Sequence, residues 1–346
     1  MTEGDREQKA APMLAPNASP HGEGAIIGEV VKLDRGYPLV RLPDGRLERC
    51  RHAVSLVKNA DMRAVIGDKV RISRPQELDV AQIEEILPRR HVLVRKDPAE
   101  RTLPQTLAAN FDLVIVAQPL ADLNLHRLER ELVLAFETGA QVLVVLTKAD
   151  LAESEDQVGE VRDTVHSIVG DEVEVLVVTD EDPKSVEAVR WAIGTGTAVM
   201  MGRSGVGKSS LVNVLVGRQV QATNAVRSSD GRGRHTTVSR EIIDVPGGGR
   251  IVDMPGVRGL GLWNADAGIA ATFPDIMSLA DSCRFRDCRH KDEPGCAVRA
   301  AVSAGTLSSS RLRAFHDLMD ENERGKARRE EAARKRKRTG HPRRRG

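Results

Sequence analysis

The sequence predicts an α/β protein, a sheet with helices on both faces, preceded by a small β-barrel and followed by a short helical segment. Three observations predict it. From about Lys96 to Met277, apolar strand candidates alternate with segments of helical periodicity. Before that, five short strands punctuated by turn signals fall between Gly24 and about Arg95. After it, three cysteines and one histidine lie close together.

The N-terminal strands are Ala25–Lys32, Pro38–Leu42, Arg46–Arg51, Lys69–Ser73 and Ala81–Leu87. Asp44-Gly45 is a hairpin signal between two of them, and Gly67-Asp68 marks another turn. Five short strands suit a small closed barrel such as the OB-fold. OB-folds often bind single-stranded nucleic acid on exposed aromatics, but Tyr37 is the barrel's single aromatic. Any RNA contact would fall on Arg35, Arg41, Arg46, Arg49, Arg51, Lys69 and Arg71; a structural barrel without a ligand is the other reading.

In the central region the strand candidates are Leu113–Gln118, Gln141–Leu146, Val173–Val178, Ala198–Met201, Arg240–Asp244 and Arg250–Asp253. Leu125–Thr138, Glu153–Val169, Pro183–Ile193 and Lys208–Val216 carry helical periodicity. From about Ala280 come the Cys/His cluster, a helix over Ala297–Ala304, and a second from Ser308 to about Glu330. The expected division is a disordered arm (1–23), an OB-fold barrel (24–95), an α/β nucleotide domain (96–279), a metal-stapled helical domain (280–325) and a basic tail (326–346).

Aromatics are only 2% of a chain that is 40% hydrophobic, so aliphatic packing dominates. No apolar run reaches membrane-spanning length, and Met1 to Gly24 holds no apolar signal region, so a cytoplasmic location is expected. From Arg324 onward twelve Lys/Arg face two Glu, a net +10, which leaves −8 for the rest of a chain whose total is +2. A basic tail on an acidic body is an electrostatic hook for a nucleic-acid backbone, and the unbroken run Arg334 to Arg338 favours that reading over a solubilising helix end.

Gly202-Arg203-Ser204-Gly205-Val206-Gly207-Lys208-Ser209 fits the phosphate-loop pattern GxxxxGK[ST], between an apolar strand and a helix. Its glycines let successive backbone N–H groups curl around phosphates; Lys208 reaches the β- and γ-phosphates, Ser209 offers a hydroxyl to Mg²⁺, and Ser210 follows in the helix's first turn. Asp253-Met254-Pro255-Gly256 lies about fifty residues on, behind the strand Arg250–Val252. Asp253 suits the Mg²⁺-holding carboxylate, and the Gly256 N–H can sense a γ-phosphate. Thr147-Lys148-Ala149-Asp150 ends the apolar run Val142–Leu146. The Asp150 carboxylate can accept from guanine N1–H and its 2-amino group, and the Lys148 stem can lie along the base; Thr147 stands where Asn is commoner. The loop after Val177-Val178-Thr179 should supply the second base contact. Ordinary G proteins present the phosphate loop first, then DxxG, then [NT]KxD. Here TKAD comes first, so the parts of a GTPase are entered at a different point.

Gly231-Arg232-Gly233-Arg234-His235-Thr236-Thr237 lies between phosphate loop and DxPG and reads as a switch loop, with Thr236 or Thr237 bringing a hydroxyl to Mg²⁺. Many GTPases place Gln after DxxG; Val257 is there instead and cannot orient water. His235 is the best substitute, beside an alternative role in shaping the loop or touching RNA; Arg234 and Arg258 are further charge neutralisers. Slow intrinsic turnover, raised by a large partner, is the expectation.

Cys283, Cys288, His290 and Cys296 make a closed Cys₃His set, the structural kind of zinc site with no open position for water. One Zn²⁺ there would replace the core this short segment lacks. Cys50, on a predicted barrel strand, is most simply a buried small hydrophobe.

This order of motifs resembles the circularly permuted GTPases of the RsgA, or YjeQ, family (ribosome small subunit-dependent GTPase A). The resemblance runs from about Gly24 to Leu318 and is carried by Val65–Val70, Leu87–Arg90, Ala109–Asp112, Thr147–Asp150, Gly202–Ser210, Gly233–Thr237, Asp253–Gly256 and the Cys/His set. It implies an N-terminal OB domain, a permuted GTPase domain and a C-terminal zinc domain in a monomer. It also implies GTP/GDP as ligands and late maturation of the small ribosomal subunit, with turnover stimulated by that subunit and its rRNA as partner. Thr179-Asp180 stands where Ser-Ala is common in the second base loop. Two other readings compete: an RNA-binding scaffold whose nucleotide site acts only as a switch, and a small-molecule kinase, against which TKAD argues.

Overall fold

The computed structural model describes residues 26–34, 37–57, 63–76, 78–96, 104–179, 182–221, 240–254 and 261–339. The chain first forms strands β1 (Ile26–Asp34), β2 (Tyr37–Arg41) and β3 (Leu47–His52), a short helix α1 (Val54–Val57), then β4 (Lys69–Ser73) and β5 (Ala81–Ile86). These strands pair in the order β1-β2-β3-β5-β4, and β4 returns to β1, which closes a five-stranded barrel. Only β3 and β5 run parallel, because the chain between them crosses the barrel instead of turning back as a hairpin. Val30, Val40, Cys50, Val70, Ile72 and Ile83 fill the interior. Cys50 is fully buried, and burial pushes its thiol up to about 12, so it packs as an inert apolar group.

A separate hairpin, β6 (Val92–Lys96) and β7 (Pro104–Ala109), follows; it was not expected. The α/β region then runs β8 (Leu113–Pro119), α2 (Leu125–Phe136), β9 (Gln141–Thr147), α3 (Glu155–Val169), β10 (Glu174–Val177), α4 (Pro183–Ile193), β11 (Thr197–Met201), α5 (Lys208–Val216), β12 (Arg240–Asp244) and β13 (Arg250–Asp253). Its strands lie in the order β10-β9-β8-β11-β13-β12, all parallel except β12. Numbered from β11 instead, with β8 taken up after β13, the same sheet reads 2-3-1-4-5-6. That is what circular permutation means here: the sheet is closed up in space while the chain enters it at β8.

Alternate residues of each central strand feed two cores, as a sheet covered on both faces requires. Val114, Val116, Val144, Leu146, Val199 and Met201 face one layer, with α2, α3 and the C-terminal helices; Leu113, Ile115, Leu143, Val145, Ala198 and Met200 face the other, with α4 and α5. Helix starts follow side-chain chemistry: Asn124, Ser154 and Asp182 each accept a backbone N–H from the first turn of α2, α3 and α4.

The remainder is helical: α6 (Asp266–Thr272), α7 (Pro274–Ala280), α8 (Ala297–Ser303) and α9 (Ser309–Thr339). Helix α9 is continuous for 31 residues, through positions 325 and 326, where the tail was expected to begin. Its first half is bolted to the body by a buried ion pair. Arg311 donates to Glu129 of α2 (2.8 Å), to Asp275 of α7 (3.0 and 3.1 Å) and to the Thr272 carbonyl (2.7 Å), and its guanidinium lies 4.4 Å above the Phe273 ring. Further along, Asn322 accepts the Ala265 N–H and Glu321 accepts the Leu262 N–H and the Arg130 guanidinium. No helix among the described residues is long and apolar enough to cross a membrane.

Barrel and sheet are joined by main-chain hydrogen bonding. Strand β1 pairs antiparallel with β12, Lys32 opposite Glu241 and Leu33 opposite Arg240. Side-chain pairs reinforce the seam: Arg250 with Glu29 (2.6 Å) and Arg41 with Asp244 (3.4 Å).

Candidate nucleotide site and metal centre

Every predicted nucleotide residue within the described chain lies at the C-terminal edge of the parallel strands, where open α/β sheets bind ligands. The phosphate loop leaves β11 at Gly202 and enters α5 at Lys208. Gly202 has φ +140°, and a Cβ there would stand 2.5 Å from the Ala117 carbonyl oxygen of β8, so only glycine lets the loop cross this strand end. Gly207, φ +96°, caps α5 in the left-handed region. Arg203, Ser204 and Gly205 form the exposed tip, and Val206 is buried beneath them. Ser209 and Ser210 are half-buried in the first turn of α5, at the positive end of its dipole.

Lys208 turns back over the loop, its Nζ donating to the carbonyls of Gly202 (2.6 Å) and Arg203 (2.8 Å). Burial holds its ammonium below the ordinary lysine range, against the opposing charges of Glu131 and Asp253. Asp253 ends β13. Burial, then the neighbouring Glu241 carboxylate, push it up to about 6, with Lys208 opposing. A hydroxyl and a carboxylate on adjoining elements are the oxygen donors Mg²⁺ prefers, so Ser209 and Asp253 fit that ion; bound there, it would neutralise phosphate charge.

The base motif adjoins the phosphate loop. Lys148 adopts a left-handed conformation (φ +58°) that bends the chain from β9 into a single 3₁₀ turn at Ala149–Leu151. Asp150 is exposed, and its carboxylate accepts from the Thr179 hydroxyl at 3.1 Å, so the loop after β10 braces it. Thr147, Lys148, Asp150, Leu151 and Val178 line a cavity of about 310 Å³ whose other wall is Gly207, Ser210 and Leu211 of the phosphate loop and α5. The buried Thr147 hydroxyl is held between the carbonyls of Gln118 and Val206, tying base motif to phosphate loop.

Sequence reasoning missed the buried pair behind this wall. The Gln118 amide donates to Glu131 of α2 at 2.7 Å, and burial pushes the Glu131 carboxyl up to about 7. The available signal was a glutamate on the apolar stripe of α2. Gly256, His235, Thr236 and Thr237, with Arg234, Val257 and Arg258, lie outside the described residues.

In the C-terminal segment the four donor atoms of Cys283, Cys288, His290 and Cys296 lie within 4.8 Å of one another. Cys283 and Cys296 sulfurs are 3.9 Å apart, and His290 Nδ1 is 3.6 and 3.5 Å from them. Tetrahedral Zn²⁺ with ordinary bond lengths requires S···S about 3.8 Å and S···N about 3.5 Å. The cluster is therefore spaced to hold one such ion. Cys296 also caps α8, accepting the Arg299 N–H.

A permuted sheet with a phosphate loop, a trailing carboxylate and an abutting TKAD motif defines the class of circularly permuted P-loop GTPases. The RsgA GTPase family model matches residues 86–263. "Small ribosomal subunit biogenesis GTPase RsgA" of Streptomyces avermitilis is 42% identical over 306 residues, 87% of this chain and 81% of that protein; its Streptomyces coelicolor counterpart is 42% identical over 318 residues, 91% and 84%. The chain belongs to the RsgA GTPase family. Among solved structures, YjeQ from Thermotoga maritima superposes with TM-score 0.64 at 24% identity, over 86% of this chain and 98% of that one. YloQ, described as a circularly permuted GTPase, gives 0.62 at 23%, over 88% and 98%. Both share the fold.

Proposed function

We propose that this chain is a GTPase of small ribosomal subunit biogenesis. It hydrolyses GTP to GDP and phosphate, is stimulated by the bound subunit, and uses the GTP/GDP change to time its release. The observation that carries guanine choice is the cavity shared by Lys148, Asp150 and the first turn of α5. Asp150, braced by Thr179, accepts from the guanine edge; adenine offers no donors at those positions. The loop from Gly202 to Gly207 presents N–H groups to the phosphates, and Lys208 leaves its loop carbonyls to meet the β- and γ-oxygens. Ser209 and Asp253 hold Mg²⁺. His235 orients the attacking water, Thr236 or Thr237 completes the metal shell, and the Gly256 N–H senses the γ-phosphate. One structural Zn²⁺ sits on the Cys₃His set.

In this reading the barrel (24–95) and the tail (326–346) face rRNA, the GTPase domain (96–279) switches, and the zinc domain (280–325) anchors α9. The protein acts as a monomer in the cytoplasm. The names of its Streptomyces relatives support the ribosomal partner. The test is steady-state phosphate release from GTP and ATP, with and without purified small subunits. Stimulation with GTP alone is expected. Equal, unstimulated turnover of both nucleotides would remove the guanine and ribosome assignments. Stable GTP-dependent subunit binding without phosphate release would leave a switch-only scaffold.

A further inference from the structure

A row of charges runs across the seam between barrel and sheet. Lys32 of β1 is the register partner of Glu241 in β12, and Glu241 is the register partner of Asp253 in β13. Directly paired residues project from the same face, with Cβ atoms about 5 Å apart. The Lys32 ammonium is 2.6 Å from the Glu241 carboxylate. Lys208 opens α5, which follows β11, the neighbour of β13 on the side away from β12, and so closes the row beyond Asp253. The order of charge is thus plus, minus, minus, plus. The juxtaposed carboxylates of Glu241 and Asp253 are its discordant step. Like charges directly opposite one another destabilise a ladder unless something neutralises them. Lys32 does so from the barrel side. A divalent cation at Asp253 would do so from the nucleotide side.

We propose that Glu241 and Lys32 are positioning residues for the Mg²⁺ site. Glu241 strengthens metal binding at Asp253, and Lys32 weakens it by holding Glu241, so the seating of the barrel on β12 sets how tightly the nucleotide's metal is kept. Both charges lie about one or two ladder steps from Asp253, near or within the roughly 8 Å over which physiological salt leaves charges unscreened. Another seam pair, Arg41–Asp244, sits at the opposite end of β12, where Asp244 is the register partner of Arg250. It holds the same seam with no carboxylate beside the metal position. The inference rests on the nucleotide reading above.

The test uses the full chain and fluorescent mant-GDP. Binding is measured first without metal, then Mg²⁺ is titrated into the complex. Glu241→Gln should raise the Mg²⁺ midpoint roughly fivefold, Lys32→Met should lower it roughly threefold, and the double variant should fall between them. Arg41→Met should leave it unchanged. Opposite signs are the signature, because a loosened seam would move Lys32→Met and Glu241→Gln the same way. A common direction, or no shift in either, overturns the proposal. Failure of the wild-type chain to bind mant-GDP at all would remove the nucleotide site itself, an outcome distinguishable from a failed charge row.

Discussion

The phosphate loop and the Cys/His cluster are both short segments that bind charged species, and they are built on opposite principles. The loop works through its backbone. Its residues are chosen for the conformations they permit, and Arg203, Ser204 and Gly205 at its tip are exposed. The cluster works through side chains; its four donors converge within 4.8 Å whatever the intervening residues do. A backbone-built site therefore fails when a side chain is added, and a side-chain-built site fails when one is removed.

The largest expected effect follows from removal. Cys296→Ala deletes a donor and the cap of α8 together. Bound zinc should fall from one per chain to under about a tenth, and urea denaturation should show a loss above about 4 kcal/mol, since binding free energy in such segments is folding free energy. Metal content unchanged from wild type would refute the zinc assignment.

Addition should cost less. Gly202→Ala places a methyl 2.5 Å from the Ala117 carbonyl at a φ that L-residues rarely adopt; about 3 kcal/mol of stability and most mant-GDP affinity should go. Gly205→Ala also has positive φ (+86°) but nothing within 4 Å, so only about 1–2 kcal/mol is expected. Equal losses at the two positions would mean that backbone conformation alone, and not the close crossing of β8, sets the need for glycine at 202.

A further effect, on the scale of the glycine changes, lies behind the loop. Glu131 has a folded pKa raised by burial to about 7 from an ordinary 4.5. A raised value means the folded state binds more protons between the two. Its stabilising contribution is complete below the unfolded pKa and is lost as pH rises through about 7, a fall of order 2–3 kcal/mol. Urea midpoints of nucleotide-free protein at pH 5 and 7.5 should differ accordingly, and Glu131→Gln should flatten the difference. An unaltered pH slope in that variant would show that Glu131 is not the titrating group.

The same contrast governs what could be read from residues alone. Glycine spacing and Cys/His spacing are local, so both sites were legible before any tertiary contact was known. The central strands were legible because burial on both faces writes continuous apolar runs such as Val142–Leu146. Helices α6 and α7 were not, being seven residues each, with Gly268 inside α6. Gly268 is there for packing: a Cβ would stand 2.1 Å from the Val133 carbonyl of α2, and the Gly268 N–H is accepted by Glu137. Only the folded partner supplies that reason. The β6–β7 hairpin was missed because its strands pair mainly with each other, outside the large sheet. The motif read along the chain could not show that the Thr147 hydroxyl reaches a carbonyl 59 positions away.

Helix α9 has a mechanical consequence. From Arg329, whose guanidinium lies 4.3 Å above the Trp263 ring and donates to Asn264, to Thr339 is 10 residues, about 15 Å of helix at 1.5 Å per residue. A flexible tether would deliver its basic residues anywhere within reach and carry no sense of direction. A rod converts angle into displacement. A tilt of about 10° at that contact would sweep the far end through about 3 Å, roughly half a helical turn. The charges of Arg334 and Lys335 are thus carried on a pointer whose base is gripped by Trp263, Asn264 and Asp266, a segment that begins ten residues after Asp253.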